Sequence, residues 1–306
     1  MLTRLPPGLN NEFIMSLALN LLNSIEGYSR AKYSTWFYFR PDNTLFDAGE
    51  GVSTTLSNRI YGVERILISH GHGDHIGGIP GFLFSRASSM GDVEKPLEIC
   101  YPKGDRNVQK MISYVQGILR DPPFELTWRG LSPGDRIELP AENRFIDCFP
   151  TEHIRSGISL GYRILETRNR LRHEYRDLSQ SEIVERIREI GRQEMSETYD
   201  KPLLIYGGDS MPIPTHYVEG AEVLLHDATF LFPEDRQEKT HATVEEAVEV
   251  ARKAGVKGLL LFHLSTRYRR SEIRKVIQEV VSRSGLKIPV VYSFPRGLPT
   301  NLQTVD

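Results

Sequence analysis

An α/β fold in a single domain, built as two sheets or one large mixed sheet clad by helices, is predicted for this chain by three observations. Short apolar runs rich in β-branched and aromatic residues recur along most of it. Two patterns with helical spacing and clear start signals alternate with such runs towards the C-terminus, while the first half is rich in strand and turn sequence. The length of 306 residues is enough for a large core, and layered α/β chains of this size commonly form one unit. No internal repeat or low-complexity stretch breaks the pattern.

In chain order, strand-like runs stand at residues 36–39, 65–69 and 97–101. Each is too short for a helix and dense in residues that suit a pleated, buried surface. Residues 168–200 differ in character, being crowded with Arg and Glu. Ile183, Ile187 and Ile190 make a thin apolar stripe there, which predicts one exposed helix in a helical insertion over 168–200. Strand runs resume at 203–206, 223–225, 259–262 and 290–292. Between them, Thr243-Val-Glu-Glu246 has capping-box spacing, Val244, Ala247, Val248 and Ala251 continue one apolar face, and Gly255 can end the helix. A last helix is predicted from Ser271 to Arg283, with Ile273, Val276, Ile277 and Val280 at helical spacing.

Composition limits the function classes. Hydrophobic residues at 39% and charged residues at 25% place the chain among globular proteins and exclude disordered or fibrous ones. No run approaches the roughly 18 apolar residues of a membrane-spanning helix. Residues 15–22 are broken by Ser16 and Asn20 and lack a signal-peptide cleavage pattern, so a cytoplasmic protein with no membrane partner is expected. Cys100 and Cys148, each in an apolar strand context, are expected as buried thiols, and any metal must then be held by His and carboxylates. The net charge of −2 provides no overall attraction for nucleic acid, so such a substrate would need a local basic patch.

The sharpest chemical signal is His70-Gly-His72-Gly-Asp74-His75, directly after an apolar strand and before Gly77-Gly78. Imidazole and carboxylate are ligands that suit zinc, and interleaved glycines let the backbone turn tightly enough for the side chains to converge. His153, Asp209 and His263 also follow apolar runs. Any one of them alone reads as an ordinary surface or turn residue; together, downstream of the His-rich motif, they read as further ligands. Seven such residues suffice for two divalent metal ions, zinc before manganese or iron, and a two-metal site suits hydrolysis of a phosphodiester by an activated water.

These motifs resemble those of the metallo-β-lactamase superfamily, and within it the ribonuclease Z family of tRNA 3′-processing endonucleases. The likeness is carried by Leu45-Phe46-Asp47-Ala48-Gly49-Glu50-Gly51, the motif at His70 to His75, Gly161-Tyr162-Arg163, His226-Asp227-Ala228-Thr229-Phe230, His241-Ala242-Thr243 and His263-Leu264-Ser265-Thr266-Arg267-Tyr268. The resemblance implies a four-layer αββα sandwich. It implies one metal held by His70, His72 and His153, the other by Asp74, His75 and His263, and Asp209 bridging them. Asp74 is also implied as a proton handler, His241 as the group acting at the scissile phosphate, Asp227 as the residue orienting His241, and Asp47 as support beside the metals. Precursor tRNA is the implied substrate, with a homodimer in which one subunit's arm grips RNA cut by the other.

The sequence also departs from the family. Its opening glycine-rich loop is replaced by Asn23-Ser-Ile-Glu-Gly27-Tyr28-Ser29-Arg30, and Asp227 stands where a Glu is usual. The region corresponding to the tRNA-binding arm, 168–200, has nearly balanced charge, whereas phosphate affinity rests on uncompensated Lys and Arg. Arg267, Arg269 and Arg270 partly restore a phosphate-binding case, because guanidinium pairs bidentately with phosphate. Two other readings compete. A phosphodiesterase for a small or cyclic nucleotide, or a hydrolase of another ester, would suit the altered arm. A non-catalytic binding paralogue would be marked by missing ligands, and none is missing.

Overall fold

The computed structural model describes residues 11–88, 95–141, 143–154, 157–293 and 302–304. After helix α1 (Asn11–Asn23), the chain lays down β1 (Ile25–Arg30), β2 (Ser34–Phe39), β3 (Thr44–Phe46), β4 (Arg65–Leu67), β5 (Leu97–Pro102) and β6 (Leu126–Leu131) side by side in chain order. The first three are antiparallel. From β3 to β6 the pairing is parallel, which requires crossovers; these contain α2 (Val52–Leu56), α3 (Gly73–Ile76), α4 (Ile79–Ala87) and α5 (Arg106–Ile118).

A second sheet repeats this plan. It runs, again in chain order, through β7 (Arg136–Glu138), β8 (Arg144–Thr151), β9 (Ser159–Leu171), β10 (Ser196–Tyr206), β11 (Val223–Asp227), β12 (Leu259–Phe262), β13 (Val290–Ser293) and β14 (Leu302–Thr304). Helix α6 (Gln180–Ile190) connects β9 to β10. The helices α7 (Thr215–Val218), α8 (Val244–Lys253) and α9 (Arg270–Ser284) occupy the parallel crossovers from β10 to β13.

Period-2 alternation stacks these sheets into four layers. Phe37, Phe39, Phe46, Tyr206, Leu225, Leu260 and Phe262 belong to a cluster that the two sheets share. Their strand neighbours Trp36, Tyr38 and Leu45 join the outer cluster under α2, α4 and α5, while Leu224, Leu259 and Leu261 join the one under α8 and α9. Sheets apolar on both faces explain why β11 and β12 are continuous hydrophobic runs rather than alternating ones. Between the sheets, Phe37 meets Phe262 edge-on at 5.3 Å and Tyr206 stacks on Phe262 at 5.4 Å, as ring centroids. The αββα sandwich expected from the family resemblance is therefore the observed architecture.

Both C-terminal helices form where their patterns predict them. Thr243 caps α8 with the reciprocal Glu246 contact, and Gly255 follows at φ 64°. Cys100 and Cys148 are buried free thiols, and burial pushes Cys148 up to about 11.

Residues 168–200 need correction. Only Gln180–Ile190 is α-helical; the flanking residues extend β9 and β10 as an antiparallel ribbon, with Ser196 opposite Leu171 and Asp200 opposite Thr167. The insertion is a two-stranded arm tipped by a helix. Its exposed ribbon residues are Arg, Glu and Thr, so the strands lack the apolar alternation that would have marked them in the sequence.

Candidate metal centre

The candidate ligands stand at or just beyond strand C-termini: His70 after β4, His153 after β8, Asp209 after β10 and His263 directly after β12. Asp47 follows β3, and Asp227 is the last residue of β11. Strand ends from both sheets thus converge on one rim of the sandwich. The turn at His72 to His75 is held tightly there. Gly78 N donates to Ala48 O, and a Cβ on Gly78 would lie 2.1 Å from Gly49 O, so no larger residue fits that crossing.

Ligand atoms of His70, His72 and His153 lie within 4.8 Å of one another, and so do those of Asp74, His75, Asp209 and His263. Asp209 Oδ2 joins the two groups: it is 3.2 Å from His75 Nε2, 3.2 Å from His263 Nε2 and 3.9 Å from His153 Nε2. The structure therefore brings together all seven residues singled out from the sequence.

Two atoms test whether this cradle suits cations. His70 Nε2 and Asp209 Oδ1 are buried without any hydrogen-bond partner, although buried polar atoms are nearly always satisfied. Both belong to residues of the two ligand groups. Burial also holds His70 well below the ordinary imidazole range, and lowers His72 and His153, which keeps these rings in the neutral form that binds metal. Burial opposes the Asp209 carboxylate, but His263 and His75 outweigh it and hold its carboxyl well below the usual range. A buried carboxylate surrounded by imidazoles is the charge pattern that a divalent cation completes.

Supporting contacts fix the rings. Asp47 Oδ2 lies 2.7 Å from His75 Nδ1 and accepts from Ser69 Oγ and Tyr206 OH, while its Oδ1 accepts from Ser69 N. That leaves His75 Nε2 aimed at the cradle. His153 Nδ1 donates to Thr240 O at 2.9 Å, and Thr229 Oγ1 meets His263 Nδ1 at 2.9 Å. Gly71 N donates to Asp105, which also caps α5. Ser69, Asp105 and Tyr206 were not singled out from the sequence, and Thr229 stood there only within the His226 to Phe230 motif, with no role given. Of the first three, Asp105 had a signal, as a cap residue before the apolar spacing of Val108 and Val115.

Beside the cradle, Asp227 Oδ2 accepts a 2.7 Å hydrogen bond from His241 Nδ1. Asp227 itself is fixed by Ser210 N, Thr229 N and Thr229 Oγ1. The His241 ring stacks over His263 at 5.0 Å and lies 4.7 Å from His153, as ring centroids. Burial works against an imidazolium there, but the Asp227 carboxylate outweighs it and raises His241 to about 9; cations bound in the cradle act in the opposite direction. Of the three arginines, Arg267 lies over Phe230 at 5.2 Å and donates to Asp235 O, whereas Arg269 and Arg270 begin α9.

Comparison with known proteins agrees with this geometry. Residues 34–106 match the family described as Metallo-beta-lactamase superfamily, and residues 197–264 match the Beta-lactamase superfamily domain. The chain is 32% identical to ribonuclease Z of Thermococcus onnurineus over 266 residues, covering 79% of this chain and 82% of the relative. It is 30% identical to ribonuclease Z of Thermococcus kodakarensis over 282 residues, covering 84% and 85%. Among solved structures, the short form of human tRNase Z superposes with a TM-score of 0.59 at 20% identity, covering 80% of this chain and 93% of that one. The metallo-beta-lactamase fold protein YhfI of Bacillus subtilis gives 0.60 at 18% identity, covering 92% and 99%.

Proposed function

The chain belongs to the ribonuclease Z family of the metallo-beta-lactamase superfamily, and on that premise we propose that it is a cytoplasmic, binuclear metal-dependent endonuclease that removes 3′ trailers from precursor tRNA. The observation that carries this reading is the Asp227–His241 pair set beside two ligand groups that meet at Asp209 and His153. Cleavage of a phosphodiester such as RNA leaves an oxygen that takes up a proton, and a carboxylate-oriented imidazole beside the cradle is placed to give it.

His70, His72 and His153 would hold one metal ion and Asp74, His75 and His263 the other, with Asp209 placed to serve both. Zinc fits this His and carboxylate set best, and manganese or iron can use the same donors. Two such ions, when bound, would supply an activated water and positive charge for the phosphoryl group. Asp74, whose carboxylate belongs to the cradle, would accept a proton from the attacking water. His241 gives a proton to the oxygen leaving phosphorus, and Asp227 keeps its Nδ1 occupied so that Nε2 faces the substrate. Asp47 orients His75. Arg267, with Arg269 and Arg270 behind it, serves the RNA backbone phosphates.

One observation favours a second reading, a phosphodiesterase for small or cyclic nucleotides. Several arm arginines are already paired: Arg168 with Glu166, Arg170 and Arg176 with Glu197, and Arg186 with Glu189. A single experiment separates the two. The Zn²⁺- or Mn²⁺-loaded protein is incubated with a 3′-extended precursor tRNA and, separately, with bis(p-nitrophenyl) phosphate, with His72→Ala as control. Cleavage next to the discriminator base, lost in the variant, establishes tRNA processing. Hydrolysis of the small diester alone moves the substrate to a small phosphodiester, and activity on neither refutes both.

A further inference from the structure

The turn between β1 and β2 directly follows Asn23 to Arg30, the stretch that stands where the family usually has its glycine-rich loop, and its residues serve no role described so far. It is closed by Tyr33 N donating to Arg30 O at 2.9 Å. Two contacts pin it to the metal cradle. Lys32, at φ 68°, donates its backbone N–H to Asp74 Oδ2 at 3.0 Å, and Ser29 Oγ accepts from His263 N at 3.0 Å.

Its side chains are the unusual part. Tyr33 is 55% exposed, among the most exposed large apolar side chains described. An aromatic ring left in water beside a catalytic cleft forgoes the burial that normally stabilises it. The Arg30 guanidinium carbon lies 3.8 Å from the Tyr33 ring centroid, backing the ring with positive charge, and Arg30 Nε is buried with no partner. Lys32 is exposed at the tip of the turn. An aromatic platform with adjacent cations is the chemistry that binds single-stranded nucleic acid, since every base has a face to stack and every linkage a charge to neutralise.

We propose that this turn is a nucleotide subsite, in which Tyr33, backed by Arg30, stacks on the base of an unpaired nucleotide next to the scissile phosphate, and Lys32 pairs with a neighbouring phosphate. The proposal rests on the RNA reading given above. A specificity of this kind acts on the substrate's bases and leaves the chemistry of the diester to the cradle, so substrates with and without a base separate the two.

KM and kcat are measured on precursor tRNA and on bis(p-nitrophenyl) phosphate for Tyr33→Ala, Tyr33→Phe and Lys32→Gln. Tyr33→Ala is expected to raise KM for RNA about tenfold or more, and Tyr33→Phe, which keeps the ring, to restore it to within about twofold of the parent. Lys32→Gln is expected to lower the slope of log affinity against log salt by about one. A Tyr33→Ala enzyme with unaltered KM for RNA overturns the proposal. So does an equal loss on RNA and the small diester, which would mean that the turn acts only by holding Asp74. Failure of the parent protein to cut precursor tRNA is a separate result that removes the tRNA reading. The subsite is then measured as binding of single-stranded oligouridylate, where the same weakening is expected for Tyr33→Ala and its absence refutes the subsite.

Discussion

Asp47 and His263 both hold left-handed backbone angles, φ 54° and φ 62°, which only a few residue types tolerate without marked strain. For Asp47 the strain has a return: the carboxylate reaches His75, Ser69 and Tyr206 at once, joining β3, β4, α3 and β10 around the cradle. Asp47→Asn should leave the fold intact but weaken metal binding about 10- to 100-fold, since the amide cannot match the carboxylate's hold on His75. Competition with a chelator measures this, and an affinity within about threefold of the parent would remove Asp47 from the site. At Asp227 the expected effect is on catalysis. Asp227→Asn should lower cleavage of precursor tRNA about 10²- to 10⁴-fold. Because the carboxylate raises the His241 pKa, its removal lowers that pKa, and the alkaline limb of the pH–rate profile must move to lower pH. An unmoved limb would mean that His241 is not the acid. These single residues were only partly legible in the sequence. His70 to His75 could be read because imidazoles and glycines packed so densely have few other uses. Tyr206 and Ser69 looked like ordinary strand residues, since the contact that gives each its role spans a distance in sequence that no local pattern records.

Elements carry the residues to the rim, and their anchoring is itself testable. Arg86 on α4 is fully buried; its guanidinium donates to Ile60 O, Val63 O and Lys95 O and lies 5.0 Å from the Phe124 ring. It ties α4, which directly follows the metal motif, to the loops on either side. Arg86→Met keeps much of the volume but strips these carbonyls of their donor, so a loss of about 3 kcal/mol or more is expected in denaturant unfolding. A loss below about 1 kcal/mol would show that the loops have other support. Strands and helices with strong local signals, such as β12 and α8, were legible because periodicity and capping are short-range properties. β9 and the arm half of β10 were not. Their outer halves pair only with each other and bury little, so charged residues replace the apolar alternation, while Ile183, Ile187 and Ile190 mark only the helix between them. Reading that stripe across the whole insertion turned a ribbon into a helix.

At the scale of the whole molecule, the αββα sandwich places all candidate ligands on one rim, whereas the arm leaves the body as an extension of β9 and β10. A ribbon of this kind is a poor element of stability: it buries few side chains, and its arginines are spent largely on neighbouring glutamates. An exposed ribbon that adds little to stability suits a task outside the fold, and the task to be tested is a grip on RNA, either in its own cleft or in that of a second copy. Replacing residues 172–195 by a short turn should therefore abolish precursor tRNA cleavage while the purified chain still hydrolyses bis(p-nitrophenyl) phosphate. Mixing decides whether the arm acts on its own cleft or on its partner's. An armless chain has an intact cradle, and a His72→Ala chain has an intact arm; neither should cut tRNA alone. If the arm works across a homodimer, subunit exchange between them puts one good arm opposite one good cradle, and cleavage returns. If each arm serves its own cleft, no pairing of these two chains is competent and the mixture stays inactive, even where sedimentation shows dimers.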